Sequence, residues 1–182
     1  MHAKLICIAA LLLLAPLTVA GYAIADSGGR SDAAKAQSAT ARYHDLQNAL
    51  DDGYVELPAV QDTATVKATN GCASAKSGAG AMGVHFILGR LLDGTIDAQT
   101  PEVLVYEPTA NGRMKLVALE YVATTPQSLF GQTFAKTDLA PFVGGDENTH
   151  FAWTLHAWIW KPNPAGTYKD WNPRVSCRGN GD

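Results

Sequence analysis

The chain has 182 residues, of which 47% are hydrophobic and 17% charged, and its 14 basic and 17 acidic side chains give a formal net charge of −3. Lys and Arg are scattered singly, which excludes nucleic acid as a partner because that would require a clustered basic patch. Beyond the N-terminus no apolar run reaches the roughly 20 residues of a membrane-spanning helix.

Met1–Ala25 reads as a secretory signal peptide. Lys4 supplies the positive end, Leu5–Leu14 the short apolar core, and Ala23-Ile24-Ala25 a small-x-small cleavage site. A secreted or periplasmic protein is expected, with no membrane contact after cleavage. Removing the leader takes one Lys and no acidic residue, leaving 157 residues with 13 basic and 17 acidic side chains and a formal charge of −4. That length suits one domain with a real core. The expected division is a signal peptide over 1–25, a flexible Gly/Ser-rich leader (or a frayed helix start) over 26–38, and a single globular domain over 39–182.

Cys7 leaves with the signal peptide, so Cys72 and Cys177 remain as an even pair in an oxidising compartment. A disulfide between them closes a loop of about 106 residues, worth on the order of 4–5 kcal/mol in the chain-entropy account. The alternative is a thiol metal site, which the wide separation and the lack of a C-x-x-C pair disfavour.

Thr40 is placed to cap a helix over Ala41–Leu50, where Tyr43, Leu46, Ala49 and Leu50 fall on one stripe. Gly53 ends it, and His44 and Asp45 lie on its solvated edge. Tyr54–Pro58 reads as a short extended piece. Gln61–Asn70 is polar without a clear period, and Asn70–Gly80 reads as a flexible loop held by Cys72, with no phosphate-binding G-x-x-x-x-G-K-[ST] order.

From Met82 the pattern becomes that of strands. Met82–Leu88 alternates Gly83, His85 and Ile87 with Val84, Phe86 and Leu88. Glu102–Glu107 and Lys115–Val122 flank Asn111-Gly112, a strong hairpin signal. A two-residue loop there pairs Val103 with Glu120, Val105 with Ala118 and Glu107 with Leu116. One face then carries Val103, Val105, Glu107, Leu116, Ala118, Glu120 and Val122, and the other Leu104, Tyr106, Val117, Leu119 and Tyr121. Both faces are apolar, which calls for a sheet covered on both sides or curled.

Pro126–Gly145 is a long connection suited to a lid or rim. Phe151–Trp160 is the densest apolar run outside the leader and holds three of the four Trp residues. As a strand it sets Phe151, Trp153, Leu155, Ala157 and Ile159 against Ala152, Thr154, His156, Trp158 and Trp160. Lys161–Cys177, with three prolines, reads as an ordered irregular tail.

Taken together, Tyr43–Tyr54, MGVHF, PEVLVYEP, LEYV, LHAWIW, NPAG and DWNPRVSC resemble an uncharacterised family of small secreted bacterial proteins. The resemblance implies one exported domain and assigns no activity, cofactor or catalytic residue.

The ionisable groups inside apolar strands are His85, Glu107, Glu120 and His156. A buried carboxylate needs a partner, so Glu120 is expected to pair with a His or with an Arg such as Arg90 or Arg113. If His85, His156 and Glu120 converge, they form the two-imidazole, one-carboxylate set of iron or zinc sites. No H-x-H, H-x-x-x-H or H-E-x-x-H spacing supports this, so added metal is expected to leave the melting temperature unchanged. Glu107 and Glu120 are roughly 13 Å apart on the assumed register, too far for a glycosidase pair. The aromatic residues Tyr106, Tyr121, Trp158, Trp160 and Trp171 offer apolar surface to a sugar or lipid.

The sequence therefore leads to an α+β domain, one N-terminal helix on a mainly antiparallel, strongly curved sheet or half-barrel. Its expected role is binding a small molecule, without a cofactor, or a structural role. His85, Tyr106, Glu120, His156 and Trp158 are the candidate ligand-binding residues. The alternative is a metal-dependent enzyme using a divalent ion on His85, Glu120 and His156.

Overall fold

The computed structural model describes residues 27–57, 61–138 and 151–179. The expected signal peptide and residues 139–145 of the expected lid lie outside the described residues.

Helix α1 (Ser27–Thr40) occupies most of the segment expected to be a flexible leader. Its small residues let it lie close to the core, with Ala36 fully buried and Ala33 packed beside it. Thr40 does not cap the next turn; its hydroxyl donates back to the Ala36 carbonyl at 2.7 Å. The helix expected over 41–50 is a 3-10 turn (Ala41–His44) followed by α2 (Leu46–Asp51). The break falls at Asp45, whose carboxylate accepts the Gln47 N–H and so caps α2.

Among the described residues ten strands complete the order: β1 (Val55–Glu56), β2 (Val66–Thr69), β3 (Cys72–Ala75), β4 (Ala81–Ile87), β5 (Val103–Pro108), β6 (Met114–Ala123), β7 (Ser128–Leu129), β8 (Gln132–Thr133), β9 (Ala135–Asp138) and β10 (Phe151–Ala157). Eight form one antiparallel sheet in the order β2-β3-β4-β5-β6-β10-β9, with β1 paired to β4, and β7–β8 is a separate hairpin. The sheet curls into a half-barrel, so the α+β expectation holds.

The polar 61–80 region is a hairpin, not a loop. Thr69 pairs with Cys72 across Asn70-Gly71, and both turn residues have positive φ (48° and 79°), the mirror-image turn that fits a twisted hairpin. Asn111-Gly112 also lies at a hairpin tip, but in a longer turn closed by Thr109 N–H to Arg113 O at 2.8 Å. Val103↔Glu120 and Val105↔Ala118 pair as expected, whereas Glu107 pairs with Lys115, because Val117 is inserted as a bulge opposite the Val105/Tyr106 step. Leu116 consequently joins Tyr106 and Leu119 in the helix-side core, and Val117 packs with Val105 on the other side. Gly112 sits at φ +76° with open space around it. Gly112→Val is therefore expected to cost about 1–2 kcal/mol through backbone strain alone, measured by urea unfolding; an unchanged stability would show that the turn carries no such strain.

The two larger cores lie on opposite sides of the sheet. On the helix side lie Val84, Phe86, Leu104, Tyr106, Leu119, Tyr121 and Leu155. On the other lie Val103, Val105, Val117, Ala118 and Trp158, with Val175 from the tail. Asn172, fully buried, bridges to Ala81 through backbone hydrogen bonds in both directions. The Cys72–Cys177 disulfide ties this tail to β3. Among the described residues no helix is long and apolar enough to cross a membrane.

Candidate functional site

Strand alternation carries three ionisable side chains to one place. His85 on β4 lies opposite Val105, Glu120 on β6 lies opposite Val103 of β5, and His156 on β10 lies directly opposite Glu120. Their neighbours Val84, Phe86, Leu119, Tyr121 and Leu155 point into the helix-side core, which commits the three to the other face. His85 and His156 are each 2% exposed and Glu120 8%.

The His85 Nε2 atom is 3.6 Å from Glu120 Oε2, and His156 Nδ1 is 3.6 Å from Glu120 Oε1. Both contacts are too long for hydrogen bonds. The two imidazoles stand edge to face with centroids 5.7 Å apart. One potential ligand atom from each residue lies within 4.8 Å of the other two. Donors about 2.0–2.2 Å from a shared tetrahedral ion lie about 3.3–3.6 Å apart; the two 3.6 Å spacings use different oxygens of Glu120, so the set, within 4.8 Å on one atom from each residue, has to close in around an ion. His156 Nε2, the ring nitrogen other than the one beside Glu120, is buried without a hydrogen-bond partner among the described residues.

Burial sets the protonation states. It holds His85 down at about 4, against a backbone hydrogen bond at Gly83 that acts the other way. Burial, with the neighbouring His85, holds His156 at about 3. The Glu120 carboxyl is pushed up to about 8 by burial, helped by Asp170 and Glu102. All three groups are thus uncharged at neutral pH, and the close His–Glu contacts are not ion pairs.

The triad borders a cavity of about 100 Å³. Leu57, Met82, Ile87, Leu92, Val103 and Val122 give it apolar walls. Thr137 and Thr154 also line it, with their hydroxyls 2.7 Å apart. Asp170 from the tail contributes a carboxyl that burial raises above its ordinary range.

Not every candidate is here. Tyr106 lies on the opposite face, where its hydroxyl donates to the Tyr43 carbonyl at 2.7 Å, so it does not line the cavity. Trp158 stacks on His156 at 5.7 Å and donates its indole N–H to the Lys169 carbonyl, so it supports the ring from behind without lining the cavity. Trp160 packs towards the helices, where its indole N–H donates to Thr40. Neither Arg90 nor Arg113 is Glu120's partner; the two histidines are. Glu107 binds Lys161 and the Ser176 N–H instead. Sequence reasoning missed Asp170, hidden in a polar tail, and Glu102, which is fully buried with one oxygen on the Val122 N–H and is held up at about 7 by burial. Glu102 follows Pro101 at a strand start, a position that gives no sign of burial.

No family model, curated protein or solved structure matches this chain.

Proposed function

We propose that the protein is an exported binding domain whose pocket holds one divalent transition-metal ion on His85, Glu120 and His156, and that open positions on the ion face a small molecule. The observation that carries this reading is the convergence of three buried ligating side chains from three strands at near-coordination spacing, beside a cavity. Two imidazoles and a carboxylate suit zinc or ferrous iron, with positions left for solvent or ligand. Metal-dependent catalysis would rest on the same ligands, since such an ion acidifies bound water.

The lack of histidine spacing motifs does not count against this site, because those motifs describe ligands on one helix or one strand. Protein purified without chelator should gain melting temperature on adding Zn²⁺ or Co²⁺. At a hundredfold excess over Kd the gain is about 2.7 kcal/mol, or roughly 5–10 °C for a chain this size. His156→Ala should abolish that gain. Its own stability does not discriminate, since deleting a fully buried ring leaves a cavity and destabilises under either role. An unchanged wild-type melting temperature with metal present would leave only a structural role for the triad.

A further inference from the structure

We propose that the pocket takes a short-chain aliphatic monocarboxylate, whose head completes the metal's coordination and whose tail lies between the apolar walls. This rests on the metal reading above and adds the chemical class of the ligand. Charge makes the first selection. A divalent ion with ionised Glu120 and two neutral imidazoles carries one net positive charge in closed, low-dielectric surroundings, and one monoanion cancels it. No Lys or Arg is among the described lining residues, so a second acidic group on the ligand would have no counter-ion. Dicarboxylates and phosphate esters are disfavoured on that ground.

The hydroxyls make the second selection. Thr154 and Thr137 lie 2.7 Å apart, and the Thr137 hydroxyl also reaches the Ala135 carbonyl at 3.3 Å. Thr154 can donate to Thr137 and Thr137 to Ala135, which uses both hydroxyl protons within the protein. In that arrangement the pair offers a polyol acceptor oxygens only, half of what a sugar hydroxyl pairs with. Size makes the third. About 100 Å³ equals the share of roughly three waters in the liquid, room for a carboxylate with a tail of about one to three carbons and too little for a lipid chain.

The test uses the mature, Co²⁺-loaded protein and its visible spectrum. Acetate, propanoate and butanoate should each perturb the cobalt bands saturably, with affinity rising about fourfold per methylene as each CH₂ is buried. Malonate, succinate and inorganic phosphate should bind at least tenfold more weakly than butanoate. Val103→Ala, which widens the wall, should move the preference to a longer chain while retaining cobalt. Equal binding of mono- and dicarboxylates, or no dependence on chain length, would overturn the proposal. Cobalt bound with spectra indifferent to every carboxylate would overturn this inference alone; failure to bind cobalt would overturn the metal reading beneath it.

Discussion

Removing the crosslink, by Cys72→Ser together with Cys177→Ser, is expected to lower stability by on the order of 4–5 kcal/mol and the melting temperature by roughly 10–18 °C. The two residues are 105 apart in sequence, so the bridge closes a loop that spans most of the sheet. Its loss enlarges the unfolded ensemble, which is where the entropic effect resides. The folded state is also affected in one place. The tail tethered by Cys177 contributes Val175 to the second core, the Asn172–Ala81 bridge and the Asp170 edge of the pocket. Local opening should therefore concentrate in residues 162–179, read as faster amide exchange there than in β4–β6. Guanidinium midpoints that coincide for the double variant and the wild type would show that the tail holds without its tether.

The second large effect is in pH. The Glu120 carboxyl, held at about 8 in the fold, keeps its proton where the unfolded chain has lost it. Its contribution is present below the ordinary glutamate range and is lost as pH rises through about 8. Glu102, held at about 7, acts in the same sense. The histidines act oppositely. With folded values of about 4 and 3, they contribute stability above the ordinary imidazole value of 6.5 that is lost as pH falls towards 4 and below. The metal-free protein should thus be most stable between about pH 5 and 7, losing several kcal/mol on each side. Glu120→Gln should make the alkaline arm shallower by about 1.4 kcal/mol per pH unit between neutrality and pH 8, one proton's worth. Bound metal should have a similar effect on wild type, since it holds Glu120 ionised and releases about one proton on loading at pH 7. Metal-free stability that is flat from pH 5 to 9, or an alkaline arm unchanged in Glu120→Gln, would show that Glu120 is not held protonated.

The legible parts of this fold are those where period two and turn chemistry agree. Alternation along β4 and β10 puts His85 and His156 on the correct sides, and the Val103–Glu120 pairing comes from the hairpin. The bulge at Val117 is not legible, because Leu116 and Val117 are both apolar and either satisfies a buried face. Asn70-Gly71 carries the same turn signal as Asn111-Gly112, but the flanking VKAT and CASA segments are too small and polar to read as strands. Helix α1 escapes for a similar reason: Ala, Ser and Gly look like a leader, while in the fold their smallness allows close approach. Tyr106 and Trp158 read as ligand contacts because an aromatic side chain suits a core and a pocket equally well. The triad requires the β6–β10 neighbour relation, a fact of topology that no local spacing encodes.

Anomalous diffraction from crystals grown with Zn²⁺ or Co²⁺ tests, at the atoms concerned, whether His85, Glu120 and His156 hold a single ion. The expected result is one strong peak at each metal's absorption edge, within about 2.0–2.2 Å of one atom from each side chain, and absent from Glu120→Gln crystals. An empty site in well-ordered crystals at saturating metal, with Glu120 still 3.6 Å from both imidazoles, would contradict it.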